Sequence, residues 1–424
     1  MTSGGRVCVL HYLVRVTTAA LLVAGCTNST NEATVSQPLI TALPRALSAD
    51  EQIAASATTN FGLALFRAVN ARTARDSNLA LSPVSASLAL GMLMSGAEGE
   101  TLEQVRQTLG FGTRAVADVA ASYRALLPLL TGLDPSVKMT FANSAWFDTG
   151  TPPSAAFRQT LTDAFGARIE SLPFTAPSTI TTINDWVSTA TNARIPTIID
   201  ALTRDDIAVL INATWFKGQW RSKFDPAATR AADFRVSASS TLRVPTMSSS
   251  KGLVRLSQGD GTVVVGELPF GGDAFVMTLV MPAVGGLESL VDSLTPARWQ
   301  SLLARLPARA ETLLVQLPKF RLESKRRLND DLAALGMPRP FANAQLNPMF
   351  QTPAANRAIS NVVQKVFVDV NEEGAEAAAA TAVQIVVTSL PPSLIVDRPF
   401  LFAIRERLSG TILFIGKVVR PTLH

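Results

Sequence analysis

Histidine and cysteine are almost absent. The 424 residues hold two of each, His11 and His424, Cys8 and Cys26. A Ser-His-Asp triad needs an imidazole held between its partners, and the terminal His424 is poorly placed for that. A Cys-His dyad and a Cys/His zinc site fail on the same count. These shortages exclude most hydrolase chemistry, and no metal or cofactor is expected. Charge is also sparse, at 17% of residues with a net +5. That excess is too weak to argue for nucleic acid as a partner. The run Glu323-Ser-Lys325-Arg326-Arg327 reads as a solvated helix face rather than a polyanion patch. Nor does Ala115–Leu130 form a basic helix face.

What the chain does have is apolar residues, 47% of the total, enough for a large core in one mixed domain or in two or three. Arg6, His11 and Arg15 precede the run Val16–Ala24, which is too short to span a bilayer as a permanent helix. Leu22-Val-Ala-Gly-Cys26 resembles the bacterial lipobox. Residues 1–25 are therefore expected to be a lipoprotein signal peptide and Cys26 the lipid attachment site, with an ordinary signal peptide as the alternative. Residues 26–48, polar and carrying Pro38 and Pro44, read as a flexible tether to a domain over 49–424. The expected location is outside the cell, anchored by lipid to a bacterial membrane (periplasmic or cell surface) or secreted. Beyond Cys26 no disulfide can form.

Apolar spacing predicts helices at Asp50–Asn70, from Ser82-Pro83, and at Glu100–Leu109, Ala115–Leu130, Ser154–Ala164 and Thr181–Ala193. Strand-like runs lie at Ala208–Phe216, Thr262–Leu268, Ala274–Met281, Thr312–Leu317, Val362–Val370 and Thr411–Val418. Helices then strands, without βαβ alternation, is an α+β pattern.

A series of blocks then stands in one order. They are Asn78-Leu-Ala-Leu-Ser-Pro-Val-Ser85, Gly96-Ala-Glu-Gly99-Glu-Thr101, Asn143-Ser-Ala and Ile183-Asn-Asp-Trp186. Asn212-Ala-Thr-Trp-Phe-Lys-Gly-Gln-Trp220, Phe224-Asp-Pro226, Leu268-Pro-Phe270 and Leu317-Pro-Lys-Phe320 follow. The tail holds Val370-Asn-Glu-Glu-Gly-Ala-Glu-Ala-Ala-Ala-Ala-Thr381, Asp397-Arg-Pro-Phe-Leu-Phe402 and Gly410-Thr-Ile-Leu-Phe-Ile-Gly416. Together they resemble the serpin family from about Ala49 to Pro421. The resemblance implies an α+β serpin fold with three β-sheets, about nine helices and an exposed C-terminal reactive-centre loop, here Glu373 to about Val396. It implies an irreversible inhibitor without catalytic activity, monomeric, whose partner is a serine protease held in a covalent 1:1 acyl complex. The bacterial, lipid-anchored kind is expected. A non-inhibitory binding or chaperone-like surface lipoprotein is the alternative.

The resemblance also places functional residues. The hinge is Glu372, Glu373, Gly374, Ala375, Glu376, Ala377, Ala378, Ala379, Ala380 and Thr381. Its small side chains let a segment slide between strands, and the β-branched run to Thr388 favours a strand afterwards. The family's spacing puts the reactive bond at Thr388–Ser389, with Val387–Thr388 as the alternative. No arginine, lysine or aromatic residue lies between Glu373 and Arg398, so a trypsin-like pocket has nothing to grip. Small β-branched Val387 and Thr388 suit elastase-like or subtilisin-like enzymes. Ser82, Ser85, Asn212, Trp220 and Gln364 fall where the main sheet opens, Gln364 standing where many members carry histidine.

Overall fold

The computed structural model describes Met1 and residues 37–259, 261–352, 358–374 and 392–423. Among them are nine α-helices: α1 (Ala49–Ala71), α2 (Pro83–Ser95), α3 (Gly99–Leu109), α4 (Val116–Gly132), α5 (Ala155–Phe165), α6 (Pro177–Ala190), α7 (Leu287–Asp292), α8 (Pro296–Leu303) and α9 (Asn329–Ala334). The strands in the first half are β1 (Leu79–Leu81), β2 (Val137–Asp148), β3 (Arg168–Leu172) and β4 (Ala208–Gly218). Next come β5 (Arg230–Ser237), β6 (Ser240–Ser257), β7 (Val263–Phe270), β8 (Phe275–Pro282) and β9 (Glu311–Pro318). The chain closes with β10 (Phe320–Arg327), β11 (Asn361–Val370), β12 (Ser393–Ile395), β13 (Phe400–Glu406) and β14 (Ile412–Val418).

Local chemistry sets the ends of the early helices. Ser48 and Glu51 form a reciprocal capping box at the start of α1. At α2, Ser82 caps and Pro83 occupies the first turn. Helix α6 begins a turn before the expected Thr181, because Pro177 opens it. It stops at Ala190, ahead of Asn192 and Ala193, both at positive φ (51° and 60°). Residues 37–48 pack with this unit: Ile40, Leu43 and Leu47 lie against the core, and the Ile40 amide donates to Gly272 O at 2.8 Å.

The strands form two sheets among the described residues, not the three expected. The larger runs β1-β14-β13-β8-β7-β6-β9-β12, with β5 on β6. Strand β6 is the reason: one end pairs with β5 and β9 while Arg255–Ser257 pair with β7, so a single long strand joins two groups. The smaller sheet runs β10-β11-β4-β2-β3. The charged run Glu323–Arg327 forms part of β10 at its edge, not a helix face. Charged side chains on an edge strand discourage pairing with other chains.

Strand periodicity gives the smaller sheet two apolar faces. Ala208 and Leu210 of β4 join the main core, whereas Val209, Ile211 and Ala213 join a second cluster with Ile183 and Val187 of α6. Helix α2 is buried along nearly its whole length and packs on both β4 and β14. It therefore stands between the two sheets, and its N-terminus meets the middle of the smaller one.

Candidate functional site

Strands β11 and β4 are neighbours and run parallel. Their register runs from Asn361 opposite Val209 to Val366 opposite Thr214. Both strands continue past it, to Val370 and Gly218. On the outer sides the pairing persists to those ends, Val370 with Phe320 and Gly218 with Val137. The seam is therefore closed along its lower part, and residues 215–218 and 367–370 have no partner across it among the described residues.

Beneath the closed part lies a polar row. Gln364, Asn212 and Asn143 are cross-strand partners on β11, β4 and β2, all nearly inaccessible to solvent. The Gln364 side chain accepts from Ser82 N at 3.0 Å and donates to Ser82 O at 2.8 Å. Ser82 Oγ donates to Leu413 O of β14 at 2.7 Å. Ser85 Oγ donates to Asn212 Oδ1, which also accepts from Thr214 Oγ1 at 2.9 Å. Asn212 Nδ2 donates to Asn143 Oδ1, and Asn143 Nδ2 to Phe165 O at 2.8 Å. The first turn of α2 is thus tied to three strands of one sheet and to β14 of the other. An interior row of this kind is stable only while every member is satisfied, because an orphaned buried polar group costs about 1–3 kcal/mol.

Trp220 stands apart from the row, at the open end of the seam. Its ring stacks on Phe270 with centroids 4.5 Å apart and planes 11° apart. Its Nε1 donates to Asn371 O at 2.9 Å, and its amide to Glu373 O at 2.7 Å. Phe224 N donates to Glu372 O at 2.9 Å. The chain leaving β11 thus turns back over Asn371–Gly374 and is clamped to residues 219–224. Gly374, at φ 147°, bridges Gln219, and a Cβ there would lie 1.9 Å from Gly218 O. Only glycine fits.

Glu372 completes the clamp. Its carboxylate accepts from Lys319 Nζ at 2.8 Å and from Thr229 Oγ1 at 2.7 Å. Burial is the largest single influence and pushes its pKa up, but the bonds from Lys319 and Thr229 outweigh it and hold the carboxyl below its ordinary 4.5. A carboxyl depressed in the folded state contributes stability above the unfolded value and loses it as pH falls through the folded one. The Glu372→Gln variant is expected to melt below the wild type at neutral pH, by about 1–3 kcal/mol of lost charge-assisted bonding. That gap should close as pH falls below 4.5. Thermal unfolding of both proteins across pH checks this, and a gap independent of pH would remove Glu372 from the clamp.

The structure thus brings Ser82, Ser85, Asn212 and Gln364 together and places Trp220 with Glu372, Glu373 and Gly374. Ala375, Glu376, Ala377, Ala378, Ala379, Ala380, Thr381, Val387, Thr388, Ser389 and Cys26 lie outside the described residues. Sequence reasoning assigned no role to Asn143, Lys319, Thr229 or Asn371. All four did sit in or beside the blocks that carry the resemblance, but their pairing with one another carried no signal without the strand register.

The serpin (serine protease inhibitor) family model matches residues 56–421. Serpin-Z2B of Triticum aestivum is 35% identical over 398 residues, covering 89% of this chain and 98% of its own. Serine protease inhibitor 42Dd of Drosophila melanogaster is 35% identical over 353 residues, covering 82% and 92%. Human thyroxine-binding globulin, solved with its hormone, superposes with a TM-score of 0.80 at 26% identity, covering 88% of this chain and 100% of that one. Such plant, insect and vertebrate relatives overturn the expectation of a bacterial lipoprotein at a bacterial membrane. The signal that misled was small: a short apolar run and one cysteine are a far less specific pattern than the ordered blocks. Serpins are in general inhibitors without catalytic activity, and this chain is not an enzyme. With the matched model spanning most of its length and the fold agreeing, the chain belongs to the serpin family.

Proposed function

We propose that the chain inhibits serine proteases irreversibly as a suicide substrate, with elastase-like or subtilisin-like enzymes as targets. The protease serine attacks the carbonyl of Thr388, or of Val387 if the bond lies one residue earlier. The peptide bond breaks, the new amine leaves with a proton from the protease histidine, and an acyl-enzyme remains. The freed hinge, pivoting on Glu372–Gly374 and led by Ala375, then enters the seam between β4 and β11. This reading takes residues 375–391 as the exposed loop, and β5, β9, β12 and the first part of β6 as the family's third sheet.

One observation carries the reading: β11 and β4 are parallel neighbours, and the chain leaving β11 turns back at Asn371–Gly374. A segment returning from that turn runs antiparallel to β11 and therefore to β4. Insertion replaces one parallel ladder by two antiparallel ones, each somewhat more stable per residue. At about 3.3 Å per residue, roughly fourteen inserted residues carry the tethered protease about 45 Å. Ser82, Ser85, Asn212 and Gln364 then act as the catch on the closed seam, with Trp220 at its mouth.

Incubation of the purified chain with pancreatic elastase is expected to give a band at the summed mass that survives boiling in detergent. The released C-terminal peptide should begin Ser389-Leu-Pro-Pro. A second reading, a non-inhibitory binding protein, draws on the likeness to thyroxine-binding globulin. Cleavage by both elastase and subtilisin without any covalent band would select it.

A further inference from the structure

Asn184 belongs to the Ile183–Trp186 block and takes no part in the polar row. Its side chain instead organises the segment that follows α6. Its Oδ1 accepts from Ile198 N at 2.8 Å and from Ile199 N at 3.0 Å, and its Nδ2 donates to Ile199 O at 2.9 Å. Two lysines hold the same segment to the smaller sheet. Lys365 Nζ of β11 donates to Thr197 O at 3.1 Å, and Lys325 Nζ of β10 to Asp200 Oδ2 at 2.6 Å. The segment thus forms a fixed cover over one face of the sheet, where β4 and β11 begin. Register decides what the cover meets. Asn361 stands opposite Val209, and Val363 opposite Arg327, so these four share the face turned toward α6. Between cover and sheet lies a cleft of 250 Å³, lined by Ile199, Leu202, Val209 and Val363 with Asn361 and Arg327. Lys325 and Asp200 also line it and neutralise each other. Arg327 has no ion pair or hydrogen bond among the described residues, and the Asn361 side chain has no hydrogen bond there either.

We infer that this cleft binds a small carboxylate with an apolar body, a medium-chain fatty acid or an aryl acid. The apolar lining takes the body, the Arg327 fork meets both carboxylate oxygens, and the Asn361 amide adds a hydrogen bond. Its 250 Å³ falls just below the roughly 300–1,000 Å³ of drug-sized sites, so a ligand of about ten non-hydrogen atoms fits. Leu202 and Val363 are only half-buried, so an apolar occupant removes further surface from water. The site is formed in advance, because Asn184, Lys325 and Lys365 already fix its cover.

Calorimetric titration with octanoate and with indole-3-acetate tests this, with octanamide and indole-3-acetamide as the neutral counterparts. One equivalent of carboxylate is expected to bind with a Kd on the order of 100 µM, and its amide more weakly. Preference for octanoate identifies a fatty-acid site and preference for indole-3-acetate an aryl one, while equal binding means that only the shared chemistry is read. Arg327→Gln should weaken the carboxylate by at least about threefold and leave its amide unchanged, whereas Arg327→Lys should keep part of the preference for charge. Leu202→Ser should weaken acid and amide alike. Arg124→Gln, exposed on α4, should change neither. The thermal midpoint should rise with bound carboxylate, since the folded form alone holds it. Binding of neither carboxylate at millimolar concentration would overturn the site. So would an Arg327→Gln variant that tells acid from amide as well as the wild type does. None of these readouts involves a protease, so the site and the proposed function can fail separately.

Discussion

Replacing Ala375 by arginine is expected to abolish covalent trapping of elastase and to turn the chain into an ordinary substrate. Gly374 stands at the mouth of the seam, bridged to Gln219 and too close to Gly218 O for even a methyl group. Ala375 follows it and is the first side chain to enter during the proposed insertion. An unpaired guanidinium carried between buried strands costs several kcal/mol. If about 3 kcal/mol of that falls on the insertion barrier, insertion slows by roughly a hundredfold, since 1.4 kcal/mol is a factor of ten. Insertion and deacylation compete for one acyl-enzyme, so such a delay hands the outcome to water. The covalent band should vanish, protease activity should return, and the rate of cleavage after Thr388 should stay within about twofold, because the reactive bond is untouched. A full yield of complex from the variant would show that Ala375 does not enter first, and the hinge assignment would fall.

Much of the helical half was legible because its boundaries rest on local chemistry. Ser48, Ser82 and Ser154 each cap the helix that follows with their own side chains. The strands that escaped notice lack a periodic signal. In β2 one face carries Asn143 into the polar row while Lys138 sits on the other, so neither reads as uniformly apolar. Strand β6 contains Pro245 and a serine run, and β10 was mistaken for a helix face because charges dominate it. Helices α7 and α9 have six residues each, less than two turns, too few for a 3.6-residue repeat to show. The site was legible only through the family blocks. That Gln364, Asn212 and Asn143 form one row depends on register between strands more than 60 residues apart in sequence, with Asn143 and Asn212 separated by 69. Periodicity within a segment carries no information about that pairing.

The same row makes Gln364 the residue whose loss should loosen the seam most. In Gln364→Leu the side-chain volume is nearly kept, so no large cavity forms. Ser82 N–H, however, loses its partner, while Ser82 O loses one of two donors and keeps Ala86 N. Ser82 is fully buried, so the one orphaned donor costs about 1–3 kcal/mol. The loss falls on the link between α2 and β11, which holds β11 against the body while β4 lies beside it. The variant is therefore expected to unfold at a lower midpoint and to lose its trapping capacity faster on mild warming, as the seam parts without a protease. A midpoint within experimental error of the wild type would show that the link bears no load. Histidine at this position separates hydrogen bonding from packing. A neutral imidazole has one donor and one acceptor and can serve both Ser82 groups, whereas the charged form has no acceptor for the Ser82 amide. The folded state then favours the neutral ring and depresses its pKa below the usual value of about 6.5. Stability of Gln364→His is expected near the wild type's at pH 8 and to fall as pH drops through that lowered value. The amide of Gln364 does not titrate, so in the natural chain the catch on the seam keeps its strength across the same range.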